Sequence, residues 1–180
     1  LRESALFVHS MTRNKLEGIR CEISETITVD DFMYRERVVV GRELELINEA
    51  LERYSIEVFR AHARFIDTHT VALYGPDEEV QSSMSGEVIV IASGSSPNRP
   101  PDVPFDSQSV FDSNTILHLP RIPPTLLVLG AGVIGVEFAR IFAALGIQVT
   151  LLDTRDRLLP FLDREIVAIL EREMVALGIT

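Results

Sequence analysis

Three glycines and one carboxylate have the residue types and the spacing needed to hold the phosphates and ribose of a dinucleotide. Gly130, Gly132 and Gly135 form a Gly-x-Gly-x-x-Gly pattern, and Asp153 ends the next apolar run. The first glycine permits a tight turn, the second lets the backbone approach a pyrophosphate, and the third lets a helix lie close to a strand. The N–H groups at a helix start attract phosphate, and an acid about 20 residues further on accepts hydrogen bonds from the ribose hydroxyls. The pattern therefore predicts a dinucleotide site.

The elements that must position these residues are indicated by the apolar periods on either side of the glycines. Leu126–Leu129 is typical of a strand, and the apolar residues after Gly135 recur at the helical spacings of three and four. Gly146 stands where a helix ends in a left-handed residue, and the apolar run Ile147–Leu152 predicts a second strand. Strand, glycine turn, helix, strand and acid in this order are far more specific than the glycines alone.

The remaining elements follow from the same reasoning. A helix is predicted over residues 1–16, and a longer one from an Asp30 or Asp31 N-cap to about Tyr54. Asp163 is predicted to cap the last helix. The run at 87–92 is continuously apolar after Glu87, which is typical of a strand buried on both faces. Other predicted elements are strands at 56–59, 63–66 and 70–73 and a short helix at 113–117.

Composition narrows the class of protein. The 180 residues are 46% hydrophobic and 24% charged, with a net charge of −10, which disfavours a nucleic-acid partner. No apolar run approaches the length of a membrane span, and no signal peptide is recognisable. The single cysteine, Cys21, excludes an internal disulfide and fits a reducing, cytoplasmic setting. His9, His62, His69 and His118 have no metal-ligand spacing, so neither a metal site nor a catalytic residue is predicted within the chain.

Three segments in order carry a resemblance to a known family. Residues Ala61–Phe65, Val90–Pro97 and Gly130–Glu137 together resemble the flavoprotein (pyridine nucleotide) disulfide reductase family. The resemblance implies an α/β FAD/NAD(P)-binding Rossmann-like fold in three layers, with a parallel sheet and a small antiparallel meander. It also implies parts of two domains. Residues 1–119 would be a partial FAD-binding domain, and 120–180 the first half of an inserted NAD(P)-binding domain.

Further segments resemble one branch of that family. They are Ala63–Asp67, Phe111–Ser113, Asp153–Leu159 and Phe161–Asp163. The branch implied is the one whose members carry hydride between NADPH and NAD through bound FAD. One alternative is a dihydrolipoamide dehydrogenase or another disulfide reductase of the same family. A second alternative is a non-catalytic dinucleotide-binding or assembly module.

The resemblance also implies roles for residues near the flavin. The backbone at His62 and Ala63 would lie against the FAD adenine. Ser93 and Gly94 would pass close to the flavin nucleotide, and Ser113 would pack nearby.

On the nicotinamide side, Val133 would line the gate where the ring stacks on the flavin, and Glu137 would reach the nicotinamide end of the cofactor. Asp153 favours NAD because a carboxylate pairs with the 2′-hydroxyl, whereas Arg155 and Arg157 favour the 2′-phosphate of NADP. Acid and arginine together predict use of both cofactors. The predicted NAD(P) residues are Gly130, Gly132, Val133, Ile134, Gly135, Glu137, Asp153, Arg155 and Arg157.

Several motifs of the family lie outside this sequence. They are the N-terminal FAD glycine motif, the redox Cys-x4-Cys segment, the C-terminal flavin motif and the histidine of the dimer domain. We therefore expect the chain to be a piece of a longer polypeptide, inactive by itself, that forms a homo-oligomer when whole.

Overall fold

A computed structural model of the chain describes residues 1–13 and 28–180. The chain forms two compact units. The first comprises Leu1–Gly41 together with Pro97–Thr180, and the second comprises Arg42–Ser96. Each unit has its own sheet, one parallel and one antiparallel, which confirms the predicted α/β fold class.

The first unit is built around a strand–helix–strand element. Strand β4 (Thr125–Leu129) leads through the glycine turn into helix α3 (Val133–Ala144), and β5 (Gln148–Leu152) follows. The two strands pair in parallel along their full length, so both end at the same edge of the sheet. This arrangement places the glycine turn and Asp153 side by side, as the spacing predicts.

Helix α4 (Arg164–Ala176) returns the chain to the same sheet. Asp163 caps it, as predicted, because its carboxylate accepts a hydrogen bond from the Glu165 N–H at 2.8 Å. Beyond α4, the Thr180 N–H donates to the Val149 carbonyl at 3.1 Å, and the Thr180 carbonyl accepts from β5. The chain thus lies beside β5 in the position of the third strand of a dinucleotide-binding sheet.

Glycines in the left-handed conformation end both α3 and α4. Gly146 has φ +85° and Gly178 has φ +90°. After each glycine, a backbone N–H reaches back to the last helical turn: Ile147 to Phe142 at 3.2 Å, and Ile179 to Met174 at 3.1 Å. These are the hydrogen bonds of a Schellman ending, and the prediction for Gly146 is confirmed.

The core of the first unit forms around α3. Phe142 is 1% exposed, and its ring lies 6.3 Å from that of Phe138 and 6.4 Å from that of Phe32. Helices α1 (Arg2–Arg13) and α2 (Val29–Arg53) contribute to a second buried cluster on α3. The members of that cluster are Ala5, Phe32, Met33, Ile141 and Ala144.

The start of α2 differs from the prediction. Thr28, not Asp30 or Asp31, is the N-cap: its hydroxyl accepts from the Asp31 N–H at 3.2 Å, and its own N–H donates to the Asp31 carboxylate at 3.0 Å. This reciprocal pair is a capping box, in which the acid occupies the third helical position. The helix passes Gly41 without a break. The expectation for Cys21 and the end of the predicted first helix lie outside the described residues.

The second unit holds an antiparallel meander. Strands β1 (His62–Asp67), β2 (Thr70–Tyr74) and β3 (Val80–Ser85) pair in sequence order. The first two were expected from the apolar pattern. β3 was not, because its central residues are polar and give no alternation. It forms because β2 offers it a hydrogen-bonding edge.

Two predicted strands are wrong. Residues 56–59 and 87–92 have no strand hydrogen bonding, and Val88, Val90 and Ile91 are 82%, 81% and 74% exposed. A strand needs a neighbouring strand to bond with, and neither sheet in the described part of the chain includes these segments. The predicted short helix near 113–117 is a 3-10 helix at Thr115–His118.

Candidate dinucleotide site

The glycine turn is held open at the shared ends of β4 and β5. Gly130 has φ +102°, a conformation that favours glycine. Its N–H donates to the Leu152 carbonyl at 2.8 Å, which ties the turn to the end of β5. The first glycine of the motif therefore makes the tight turn that its type predicts.

The other two glycines provide space of different kinds. A Cβ added to Gly135 would lie 1.9 Å from the Gly130 carbonyl oxygen, so this glycine brings the helix against the turn. A Cβ added to Gly132 would meet nothing within 4 Å. Space beside Gly132 therefore lies open toward the exterior, where a phosphate would approach the backbone.

Helix α3 begins at this opening without a capping side chain. Gly132 is its N-cap, and no side chain accepts a hydrogen bond from the first turn. Val133 and Ile134 lie in that turn and are 57% and 59% exposed. An uncapped helix start presents N–H donors and the positive end of the helix dipole, which together favour an anion. Glu137 follows on the exposed surface of α3.

Asp153 lies beside this helix start with its carboxylate fully engaged. One oxygen, Oδ2, accepts from the Ala131 N–H at 2.5 Å and from Arg155 Nη2 at 2.7 Å. The other, Oδ1, accepts from the Arg155 backbone N–H at 2.8 Å and from Arg155 Nε at 2.9 Å. The guanidinium of Arg155, its N–H and the Ala131 N–H hold the pKa of Asp153 well below its usual range. The carboxylate is therefore ionised throughout the physiological range.

The two arginines occupy different positions. Arg155 forms a bidentate pair with Asp153 and is 47% exposed, whereas the Asp153 side chain is 9% exposed. Arg157 turns toward the following loop, where its Nη2 donates to the Leu162 carbonyl. That loop also contacts the glycine turn, because the Leu159 N–H donates to a turn carbonyl at 3.4 Å.

Sequence reasoning missed Ala131, the residue between the first two glycines. It is fully buried, and its N–H connects the turn to Asp153. A variable position of the motif carries no side-chain signal for this role, since only the backbone takes part.

The residues predicted to contact flavin lie in both units. His62 and Ala63 are exposed on β1, opposite β2, and Ser93 and Gly94 lie in the exposed segment that follows the meander. Gly94 has φ +71°. Ser113 belongs to the first unit and is half-buried. Their role at a flavin stays a prediction.

Ser113 lies in a turn organised by its neighbour Asp112. The Asp112 carboxylate accepts from the Asn114 and Thr115 N–H groups at 2.9 and 2.8 Å, and from Arg99 Nε at 2.6 Å. The Thr115 N–H and the Arg99 guanidinium lower the pKa of Asp112 to about 2. Nothing in the sequence pattern pointed to the pairing of Arg99 with Asp112.

The described part of the chain contains neither a metal-ligand cluster nor a membrane-spanning helix. Within residues 1–13 and 28–180, no group of three or more His, Cys, Asp or Glu side chains lies close enough to hold a metal ion. No helix in those ranges combines the length and the apolar character needed to cross a membrane.

The chain resembles known proteins over nearly its whole length. Residues 7–180 match the family model described as pyridine nucleotide-disulphide oxidoreductase. The chain is 37% identical over 180 residues to the soluble pyridine nucleotide transhydrogenase of Mycobacterium bovis (strain BCG / Pasteur 1173P2), covering all of this chain and 38% of that protein. It is 41% identical over 165 residues to the protein of that name from Colwellia psychrerythraea, covering 92% of this chain and 35% of the relative.

Solved structures share the fold. LpdA from Mycobacterium tuberculosis superposes with a TM-score of 0.86 at 22% identity, over 98% of this chain and 39% of that one. The HOCl-induced flavoprotein disulfide reductase RclA from Escherichia coli superposes with a TM-score of 0.72 at 27% identity, over 99% of this chain and 37% of that one. The chain thus spans less than half the length of the proteins it matches.

Proposed function

Because the chain belongs to the pyridine nucleotide-disulphide oxidoreductase family, we propose that the protein containing it transfers hydride between NADPH and NAD through bound FAD. The observation that carries this proposal is the paired acid and arginine at the end of β5. Asp153 suits the ribose hydroxyls of NAD, and Arg155 supplies a guanidinium for the 2′-phosphate of NADP. An enzyme that moves electrons between the two cofactors must accept both.

The residues of the first unit fit a pyridine nucleotide. The open space at Gly132 and the uncapped start of α3 can take the pyrophosphate against the N–H groups of Val133 and Ile134. Asp153 and Arg155 would then meet the adenosine ribose. Arg157 would be a further phosphate contact after its guanidinium leaves the Leu162 carbonyl. Glu137 would point along α3 toward the nicotinamide end.

The flavin would be held by residues outside this dinucleotide site. His62 and Ala63 would contact its adenine, and Ser93, Gly94 and Ser113 would lie along its nucleotide. When bound, FAD would supply the two-electron redox chemistry that links the two pyridine nucleotides. The residues described here bind and orient the nucleotides and take no proton themselves.

The proposed enzyme has two nucleotide-binding domains and is cytoplasmic. Residues 1–119 would form part of an FAD-binding domain, and 120–180 would begin an inserted NAD(P)-binding domain. The relatives named as soluble transhydrogenases support a cytoplasmic enzyme. A homo-oligomer of the whole protein is part of the same proposal.

A disulfide reductase is the second candidate function. It is favoured by the structural similarity to RclA, a flavoprotein disulfide reductase, at 27% identity. The two functions differ in the final electron acceptor, which is a nicotinamide in one case and a disulfide in the other.

The test uses the intact protein under anaerobic conditions. NADPH is supplied as the donor, with a thionicotinamide analogue of NAD, lipoamide or glutathione disulfide as parallel acceptors. We expect rapid reduction of the analogue, seen at its own wavelength, while both disulfides stay unreduced. Preferential reduction of a disulfide would contradict the proposal and favour the reductase. If no acceptor is reduced although the nucleotides bind, the chain belongs to a dinucleotide-binding module.

A further inference from the structure

The four hydrogen bonds on Asp153 fill the acceptor capacity of its carboxylate. A carboxylate offers about four lone-pair positions, two on each oxygen. Backbone N–H groups of Ala131 and Arg155 occupy one position on each oxygen. The Arg155 guanidinium occupies the other two, with Nε on Oδ1 and Nη2 on Oδ2. In this arrangement the acid has no position left for a ribose hydroxyl.

We propose that the Arg155 guanidinium covers the Asp153 carboxylate until a nucleotide displaces it. The inference rests on the proposed function, since it assumes that the ribose of a pyridine nucleotide binds at Asp153. Asp153 and Arg155 therefore do not recognise the two cofactors independently. The two side chains pair with each other, and a nucleotide must replace that pairing to contact either of them.

Displacement of the Arg155 guanidinium would expose the Asp153 carboxylate to a ribose. Departure of the guanidinium frees one acceptor position on each oxygen, which matches the two adjacent hydroxyls of an adenosine ribose. The backbone bonds from Ala131 and Arg155 remain, so the carboxylate keeps its orientation. The Arg155 side chain is 47% exposed and can turn away without disturbing the core.

The consequences differ for the two cofactors. With NADH, the guanidinium leaves the carboxylate and gains no new partner in the ligand, so breaking the pair weakens binding. With NADPH, the displaced guanidinium stays close to the ribose, because its backbone is held to Oδ1, and it can fork the 2′-phosphate. The same pair therefore penalises NADH and favours NADPH, and it shields the phosphate from the Asp153 charge.

The experiment measures binding of adenosine fragments to the intact protein by calorimetry, so that hydride transfer is not needed. AMP represents the NAD side, and adenosine 2′,5′-bisphosphate the NADP side. For Arg155→Ala we expect AMP to bind about two- to fivefold more tightly, since a half-exposed guanidinium no longer competes for the Asp153 carboxylate. The bisphosphate should bind about 10- to 100-fold more weakly, since charge-assisted hydrogen bonds to the phosphate are lost.

Two further variants separate the effect of the Arg155 guanidinium from that of net charge. Arg155→Lys should recover part of the bisphosphate affinity, because an ammonium keeps the charge but cannot fork both oxygens. Arg172→Ala removes an equal charge from the exposed surface of α4 and should change neither affinity. Thermal melting of each variant checks that the fold is retained.

Two outcomes would overturn the inference. If Arg155→Ala leaves AMP affinity unchanged or lowers it, the guanidinium does not cover the acid. If Arg172→Ala shifts the two affinities as Arg155→Ala does, the effect is one of net charge. A failed transhydrogenase assay with the affinities shifted in opposite directions would reject only the proposed activity, so the two failures are distinguishable.

Discussion

Substitution by alanine of the second and third glycines of the motif, Gly132 and Gly135, should separate binding from folding. In Gly135→Ala the new Cβ would start 1.9 Å from the Gly130 carbonyl oxygen and 3.1 Å from its carbon. Real Cβ contacts are essentially never under 3.0 Å, so the backbone must separate by about 1.1 Å. The obstacle is backbone in a turn already tied to β5, so no flexible side chain can move aside.

We expect Gly135→Ala to destabilise the β4–α3–β5 element by about 3 kcal/mol or more, at the upper end of overpacking penalties. The gain of about 1 kcal/mol from replacing a helical glycine by alanine offsets only part of this cost. Gly132→Ala is the matched control, because its Cβ meets nothing within 4 Å and its φ of −79° suits any residue. Its stability should change by no more than about 0.5 kcal/mol.

Hydrogen exchange of the intact protein is the assay for stability, since it reports the opening of individual elements. Amides of β5 and α3 should lose protection in Gly135→Ala and keep it in Gly132→Ala. Gly132→Ala should instead lose affinity for the nucleotide. In a titration its NADH binding should weaken by at least about tenfold, because the new methyl group fills the space where the phosphate approaches the backbone. Normal protection in Gly135→Ala would refute the reasoning.

Other predictions concern the supporting structure. Arg99→Ala should make the turn at Asp112 more sensitive to acid: the depressed pKa of about 2 means that this carboxylate stabilises the fold above about pH 4, and the contribution is lost as the pH falls toward 2. Exchange measured between pH 2 and 6 should show the loss at higher pH in the variant, and identical profiles would contradict the role of Arg99. Phe142→Ala should cost about 3–5 kcal/mol in denaturant unfolding, because it empties the centre of the core; a cost below about 1 kcal/mol would contradict this. Gly178→Ala should cost about 1–2 kcal/mol at a φ of +90°, measured by the same unfolding, unless the helix end shifts. Thr28→Ala should cost about 1 kcal/mol through loss of the α2 capping box, read from exchange of the first-turn amides, and unchanged exchange there would argue against the cap.

The strand–helix–strand element around Gly130 was predictable because its signals are local. Apolar period, glycine spacing and left-handed endings act within a few residues, so they indicate β4, α3, β5 and the position of Asp153 without knowledge of distant contacts. The family resemblance could be recognised for the same reason, since each of its motifs is a short stretch of consecutive residues. Use of Asp163 as a helix cap belongs to this class.

Pairing between segments was not predictable in this way. Residues 87–92 have the composition of a buried strand, yet pair with no strand in the described part of the chain, whereas polar β3 is a strand because β2 offers it an edge. Strand formation depends on the neighbour as much as on the segment.

The sequence by itself determined that a glycine turn and an acid meet at one edge of a parallel sheet, because parallel strands bring their ends together. Only the tertiary structure decided the state of that acid. Whether Arg155 reaches outward to a phosphate or back to Asp153 depends on rotamers and on the Ala131 N–H, which orients the carboxylate across the turn. Side-chain direction of this kind is set by three-dimensional contacts, and residue types at fixed spacing leave it open.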